Sequence, residues 1–211
     1  MLFENNKTGV PAAGKIYYWI LRNFFCRLAK LIWVKKIKGA ENLPKSGPYI
    51  IAVNHSSYLD FMLIIGALPQ FLFFFIKDNY YDSPLWNYFL TKMNQIRATN
   101  GAFKKGLKLA KKKNILVIFP EGTRTRNGFL GPGLDGVARI STAGKIPVIP
   151  VGISGAFGLW PPQKKIPKFK REVIINFGKP LHPGAYESCE SKEYTRKIME
   201  EIEKLIKTAD D

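Results

Sequence analysis

Only two cysteines and two histidines occur in the 211 residues. Cys26 and Cys189 lie far apart and make neither a disulfide framework nor a metal spacing, so they read as ordinary thiols of a reducing compartment. Long apolar runs are also missing. The nearest, Phe61 to Ile76, is broken by Gly66, Pro69 and Gln70 and falls short of the roughly 18 apolar residues that a membrane span needs. The amino terminus, with Glu4, Asn5, Asn6 and Lys7, does not read as a secretory signal. Acidic residues are scarce through most of the chain: residues 1–185 hold 28 basic and 8 acidic side chains, whereas 187–211 hold 5 and 8. Each carboxylate of the basic body therefore stands out. The net charge of +17 predicts an anionic partner, while 46% apolar residues exclude a disordered chain.

Residues 15–34 carry the first strong pattern. A helical wheel sets Tyr17, Ile20, Leu21, Phe24, Phe25, Leu28, Leu31 and Ile32 on one broad face, opposite Lys15, Arg22, Arg27 and Lys30. This predicts an amphipathic helix, lying on an anionic membrane or packed on the domain; Lys35, Lys36 and Lys38 favour the membrane. Short Ile/Val/Phe-rich runs then predict strands over Tyr49–Val53, Phe71–Ile76, Ile115–Phe119, Val148–Ile153 and Val173–Phe177. Helical patterns alternate with them at 61–68, 85–93, 102–113 and 137–143, and a stripe of Tyr194, Ile198, Ile202 and Leu205 predicts a closing surface helix. The expected fold is α/β, a central, largely parallel sheet flanked by helices. The expected segments are an amphipathic helical one (1–36), the α/β domain (37–185) and a terminal helix of that domain (186–211).

In such sheets ligands bind beyond the carboxyl ends of the strands, and two strand ends carry chemistry. After Val53 comes His55, with Asp60 five residues on. A single helical face would hold them about 140° apart, but a His in the turn can meet an Asp in the first helical turn. The Asp would then fix one ring nitrogen and leave the other as a base. Ser57-x-x-Asp60 equally fits a helix cap, and both readings can hold together. After Phe119 comes Pro120-Glu121-Gly122-Thr123-Arg124. Gly122 allows close backbone approach, Thr123 offers a hydroxyl, and Arg124 offers a fork matched to phosphate oxygens.

The two blocks together, His-x4-Asp and then Phe-Pro-Glu-Gly-Thr-Arg with Glu121 66 positions after His55, resemble the glycerolipid acyltransferase family that includes 1-acylglycerol-3-phosphate acyltransferases. Ile96-Arg97, Ile146-Pro147-Val148-Ile149-Pro150-Val151, Asn42 to Pro48 and Phe177 to Leu181 fall in the family's order. The resemblance covers about residues 37–182. It implies transfer of a fatty acyl group from acyl-CoA or an acidic acyl-carrier protein to a lysolipid hydroxyl, with no metal and no further cofactor. By position, His55 would be the general base and Asp60 its orienting partner. Arg124, with Gly122 and Thr123, would hold the acceptor phosphate, Arg97 would add positive charge, Glu121 would help build the acceptor site and Pro150 would shape its wall.

One departure stands out. Leu134 and Asp135 occupy positions where the family often has a lysine, and a carboxylate there repels a bare phosphomonoester. The leading acceptor that the resemblance implies is 1-acyl-sn-glycerol 3-phosphate, giving phosphatidic acid; that carboxylate leaves a larger lysophospholipid or another lysolipid open, and glycerol 3-phosphate is a further alternative. The expected partners are an anionic membrane surface, the lysolipid and the thioester donor, at the cytoplasmic face of a membrane with peripheral attachment. A nucleic-acid-binding module has only net charge in its favour, without a recognised motif, and no nucleic-acid partner is expected.

Overall fold

The computed structural model describes residues 9–186 and 189–209. The first eight residues of the expected amphipathic segment, and residues 187–188 and 210–211 of the expected terminal segment, lie outside the described residues.

Seven strands form one sheet in the order β1-β7-β6-β2-β5-β3-β4. They are β1 (Val34–Lys38), β2 (Ile50–Val53), β3 (Leu72–Ile76), β4 (Ile96–Arg97), β5 (Ile115–Ile118), β6 (Val148–Ser154) and β7 (Val173–Phe177). Every neighbouring pair is parallel except β6 and β7, which run antiparallel. The sheet is thus largely parallel, as the alternating pattern predicts. Its central strand β2 is wholly buried, which is why it reads as a continuous apolar run and not as an alternation.

Helices cover the sheet: α1 (Ala12–Ile20), α2 (Arg27–Trp33), α3 (Asp60–Ala67), α4 (Pro84–Lys92), α5 (Ala102–Lys111), α6 (Gly136–Gly144), a short α7 (Ala156–Leu159) and α8 (Ser191–Lys207). The terminal helix α8 buries Tyr194, Ile198, Met199 and Ile202, close to the expected stripe. Two strands go beyond the sequence pattern. β4 is too short to give one, and β1 is an edge strand whose Lys35 and Lys36 are exposed. Lys38 donates from Nζ to the Ala209 carbonyl at 2.9 Å beyond the end of α8, a favourable place for a cation.

The amino-terminal helix differs from its helical wheel. A π-helical segment, Leu21–Cys26, joins α1 to α2 and turns the faces out of 3.6-residue register. A narrow strip of Gly14, Tyr18, Cys26, Ala29 and Trp33 packs on the domain. Backbone meets backbone there: a Cβ at Gly66 of α3 would lie 2.3 Å from the Cys26 carbonyl oxygen. Phe24, Phe25, Leu28 and Leu31, each more than half exposed, point away from the core. Burial pushes the Cys26 thiol up to about 12. No helix among the described residues is long and apolar enough to cross a membrane.

Candidate active site

The parallel strands deliver two turns to the same end of the sheet, one after β2 and one after its neighbour β5. Asn54 fixes the first. Its side chain accepts the Ile153 N–H at 2.7 Å and donates to the Ile153 carbonyl at 3.0 Å, extending the β2–β6 pairing by one residue. His55 follows, and its ring stacks on Phe119 with centroids 4.0 Å apart.

Asp60 has no exposed surface. Its Oδ2 gathers three donors: His55 Nδ1 at 2.9 Å, the Ser56 N–H at 2.7 Å and the Ser57 N–H at 2.8 Å. Ser57 Oγ accepts the Leu59 N–H at 3.1 Å, so Ser57 and Asp60 brace the turn that leads into α3 and the same carboxylate holds the imidazole. The N-cap position of α3 is Leu59, and no side chain caps the helix. With Nδ1–H donated to the carboxylate, the ring's Nε2 presents its lone pair.

Glu121 locks the second turn to the first. Oε1 accepts the His55 N–H at 2.7 Å and Oε2 accepts the Gly131 N–H at 2.9 Å. Burial raises its pKa, and the two N–H donors act against that rise. The Thr125 N–H also donates to the His55 carbonyl at 2.9 Å. Gly122 adopts φ +65°, where a side chain would be strained and would press on Leu134 at 2.9 Å. Thr123 is exposed. The Arg124 guanidinium lies 3.8 Å above the Tyr58 ring, with Nη2 3.4 Å from the Tyr80 hydroxyl, so two aromatic side chains aim it.

His55, Asp60, Glu121, Gly122 and Arg124 therefore form one connected cluster. Arg97 stands at its margin on the edge strand β4, ion-paired with Asp78 and 5.0 Å over Tyr81. Asp78, Tyr80 and Tyr81 belong to a single 3-10 turn, Asp78–Asp82, so one turn holds both arginines. Pro150 lies inside β6, paired with Ala52 and accepting the Gly178 N–H at 2.8 Å, several residues short of the strand end. Its contact is with the sheet. Leu134 packs over Gly122, and Asp135 stands exposed at the N-cap of α6.

Sequence reasoning missed Asn54, Tyr58, Asp78, Tyr80 and Phe119 as positioning residues. Asp78 had a signal, as one of the few acids in the basic body; Tyr58 and Phe119 had only their place within the two motifs, and Tyr80 had none. A cleft of about 670 Å³ opens beside the His55 turn, bordered by Glu121, Phe129, Phe157 and Met199. No three His, Cys, Asp or Glu side chains converge as a metal site among the described residues. The cluster offers a base, a cation aimed from the rim and an apolar-walled space.

A sequence profile of the family described as Acyltransferase matches residues 34–154. The chain is 30% identical over 178 residues to a 1-acyl-sn-glycerol-3-phosphate acyltransferase of Bacillus subtilis, spanning 82% of this chain and 86% of that one. A Saccharomyces cerevisiae protein of the same name is 30% identical over 203 residues, 90% of this chain and 66% of its own length. The crystal structure of the 1-acyl-sn-glycerophosphate acyltransferase PlsC from Thermotoga maritima is similar with a TM-score of 0.75 at 25% identity, over 92% of this chain and 81% of that one.

Proposed function

The chain belongs to the acyltransferase family, and we propose that it transfers a fatty acyl group from a thioester to the free hydroxyl of 1-acyl-sn-glycerol 3-phosphate, giving phosphatidic acid. The acceptor is the one that the names of its bacterial and yeast relatives carry. The single observation that supports the chemistry best is the 2.9 Å contact between His55 Nδ1 and the buried Asp60 carboxylate.

Asp60 holds Nδ1–H, so Nε2 accepts the proton of the acceptor hydroxyl as its oxygen attacks the thioester carbonyl. The new C–O bond forms, the C–S bond breaks, and the proton held at Nε2 passes to the departing thiolate. No acyl-enzyme intermediate enters this scheme. Arg124, steadied by Tyr58 and Tyr80, anchors the acceptor phosphate. Gly122 and Thr123 complete the phosphate turn, Arg97 adds positive potential from the margin, and Glu121 builds the site by fixing the two turns against each other.

The acyl donor is acyl-CoA or an acidic acyl-carrier protein, both matched by the basic body of the chain. The reaction takes place at an anionic membrane surface, on its cytoplasmic face, with the protein attached peripherally. The exposed apolar strip of Phe24, Phe25, Leu28 and Leu31 supports that location. A second acceptor class, lysophospholipids with larger head groups, is favoured by the exposed Asp135 just past the arginine turn.

The test offers the purified full chain acyl-CoA and acyl-carrier donors against a panel of lysolipids and glycerol 3-phosphate, with products identified by mass. Phosphatidic acid from the lysophosphatidate is the expected product. His55→Ala should lower turnover by roughly 10²–10⁴-fold while leaving lipid binding intact. Turnover unchanged by that substitution would remove the assigned base; a diacyl product from only the larger lysolipids would replace the acceptor.

A further inference from the structure

The connection between β6 and β7 carries a feature that acyl transfer does not use. Residues 161–172 hold Lys164, Lys165, Lys168, Lys170 and Arg171 against a single acid, Glu172. Lys170 pairs with that Glu172, and Arg171 donates from Nε to the Val34 carbonyl at 2.8 Å. Lys164, Lys165 and Lys168 are exposed and form no ion pair among the described residues. Between them stand Ile166 and Phe169, 74% and 72% exposed. A solvated basic loop has no use for two large apolar side chains held in water.

The loop is not slack. The Lys168 N–H donates to the Leu159 carbonyl at 2.9 Å and the Trp160 indole N–H to the Lys164 carbonyl at 3.1 Å, closing the loop on itself. Trp33, at the end of α2, donates its indole N–H to the Lys168 carbonyl at 2.7 Å and stacks on Phe169 with centroids 5.6 Å apart. The loop therefore continues the exposed apolar strip of the amino-terminal helix, whose Leu31 is 65% exposed two residues before Trp33. At its root the Trp160 carbonyl accepts both the Ser57 hydroxyl at 2.8 Å and the Tyr58 N–H at 3.2 Å. These are residues of the catalytic turn, and Tyr58 carries Arg124 on its ring.

We infer that loop 161–172 is an interfacial anchor for an anionic phospholipid surface, with Ile166 and Phe169 entering the lipid and Lys164, Lys165 and Lys168 on the head groups, and that its root at Trp160 holds the catalytic turn in register with that surface. The inference deepens the membrane-surface reading above and rests on it. The alternation of cations with exposed apolar side chains, and the continuity with the helix strip, favour a lipid surface over an acidic carrier protein, which would need the lysines alone.

Two surface variants of the full chain test this, Ile166→Ser with Phe169→Ser, and Lys164→Gln with Lys165→Gln and Lys168→Gln. Each is measured by sedimentation with phosphatidylcholine vesicles, with and without phosphatidylglycerol. The serine variant should lose on the order of tenfold in partitioning onto both kinds of vesicle. The glutamine variant should lose on the order of tenfold or more only where phosphatidylglycerol is present, and the loss should vanish at high salt. Turnover should fall on a vesicle-embedded lysolipid and stay unchanged on a short-chain acceptor dissolved as monomers. Wild-type sedimentation of both variants would overturn the inference. So would a loss of turnover confined to the carrier-linked donor, which would assign the lysines to an acidic protein. Sedimentation involves no reaction, so it separates a failure of the anchor from a failure of the proposed acyl transfer.

Discussion

The charges of the site fall into two regions with opposite construction. Its anions form a floor: Asp60 is fully buried under three donors, and both oxygens of Glu121 are occupied by backbone N–H groups. Its cations form a rim: Arg124 lies over the Tyr58 ring and donates to the Tyr80 hydroxyl, and Arg97 rests in an exposed pair. The carboxylates are bound from within by several N–H donors each, Asp60 through Oδ2 alone, whereas Arg124 makes one long hydrogen bond and Arg97 a pair open to solvent. Under the proposed mechanism, floor residues should act on turnover and rim residues on acceptor affinity.

Asp60→Asn strikes the floor hardest. An amide loses the charge that favours Nδ1–H, and the ring can then take the wrong tautomer. The expected result is a fall in kcat of roughly 10³–10⁴-fold with little change in KM; steady-state kinetics showing a loss below about tenfold would strip Asp60 of its orienting role. Glu121→Gln comes next. One backbone N–H would face an amide N–H₂, costing about 1–3 kcal/mol of stability and reducing kcat by the slackened His55 turn, as thermal melts and kinetics would report.

The same variant carries a pH signature. Burial raises the Glu121 pKa in the folded state, so the folded chain holds this proton more tightly than the unfolded one. The resulting stabilisation is complete below the ordinary carboxylate range and is lost as pH rises through the raised value. Melts of the Gln variant should lack that decline; parallel curves for the two proteins would contradict the assignment.

At the rim, Arg124→Ala is expected to raise the acceptor KM by about 10- to 100-fold, the range of a charged hydrogen bond, with kcat changed far less. A change confined to the donor KM would move Arg124 to the other substrate. Arg97→Ala should have the smallest effect, a rise of a few-fold at most, because Asp78 already occupies its guanidinium and the pair is open to solvent. If the two arginine variants proved equal, the rim would need to be redrawn with Asp78 displaced on acceptor binding.

The alternation of apolar runs with 3.6-period patterns carries most of the fold. Buried parallel strands have no polar face to confuse the reading, and α8 has one unbroken stripe. Edge strands escape for the converse reason: β1 is rich in lysine because one of its sides meets water, and its pairing with β7, far along the chain, leaves no local trace. In the amino-terminal helix the π segment breaks the wheel, so of the broad apolar face that the wheel draws Tyr17, Leu21 and Ile32 pack on the core while Phe24, Phe25, Leu28 and Leu31 face outward. At the site, His55, Asp60 and the Glu121–Arg124 turn are legible as short motifs. Of the tyrosines that carry Arg124, Tyr58 lies inside the first motif and Tyr80 in the 78–82 turn, and only folding brings both to the arginine. Pro150 is legible as a strand proline, and it takes that place in β6; its contacts there are with the sheet and not with the site wall that the family pattern implies.

The single reversal in the sheet, β7 against β6, has an architectural consequence. Val173 begins where Ser154 ends, so the 18 intervening residues leave from and return to the working end of the molecule. Lengthening such an excursion adds only about 0.6 kcal/mol of closure cost for each doubling, and no catalytic strand has to shift. The excursion can thus differ in length and sequence beyond its root at Trp160 while the sheet beneath it stays unaltered.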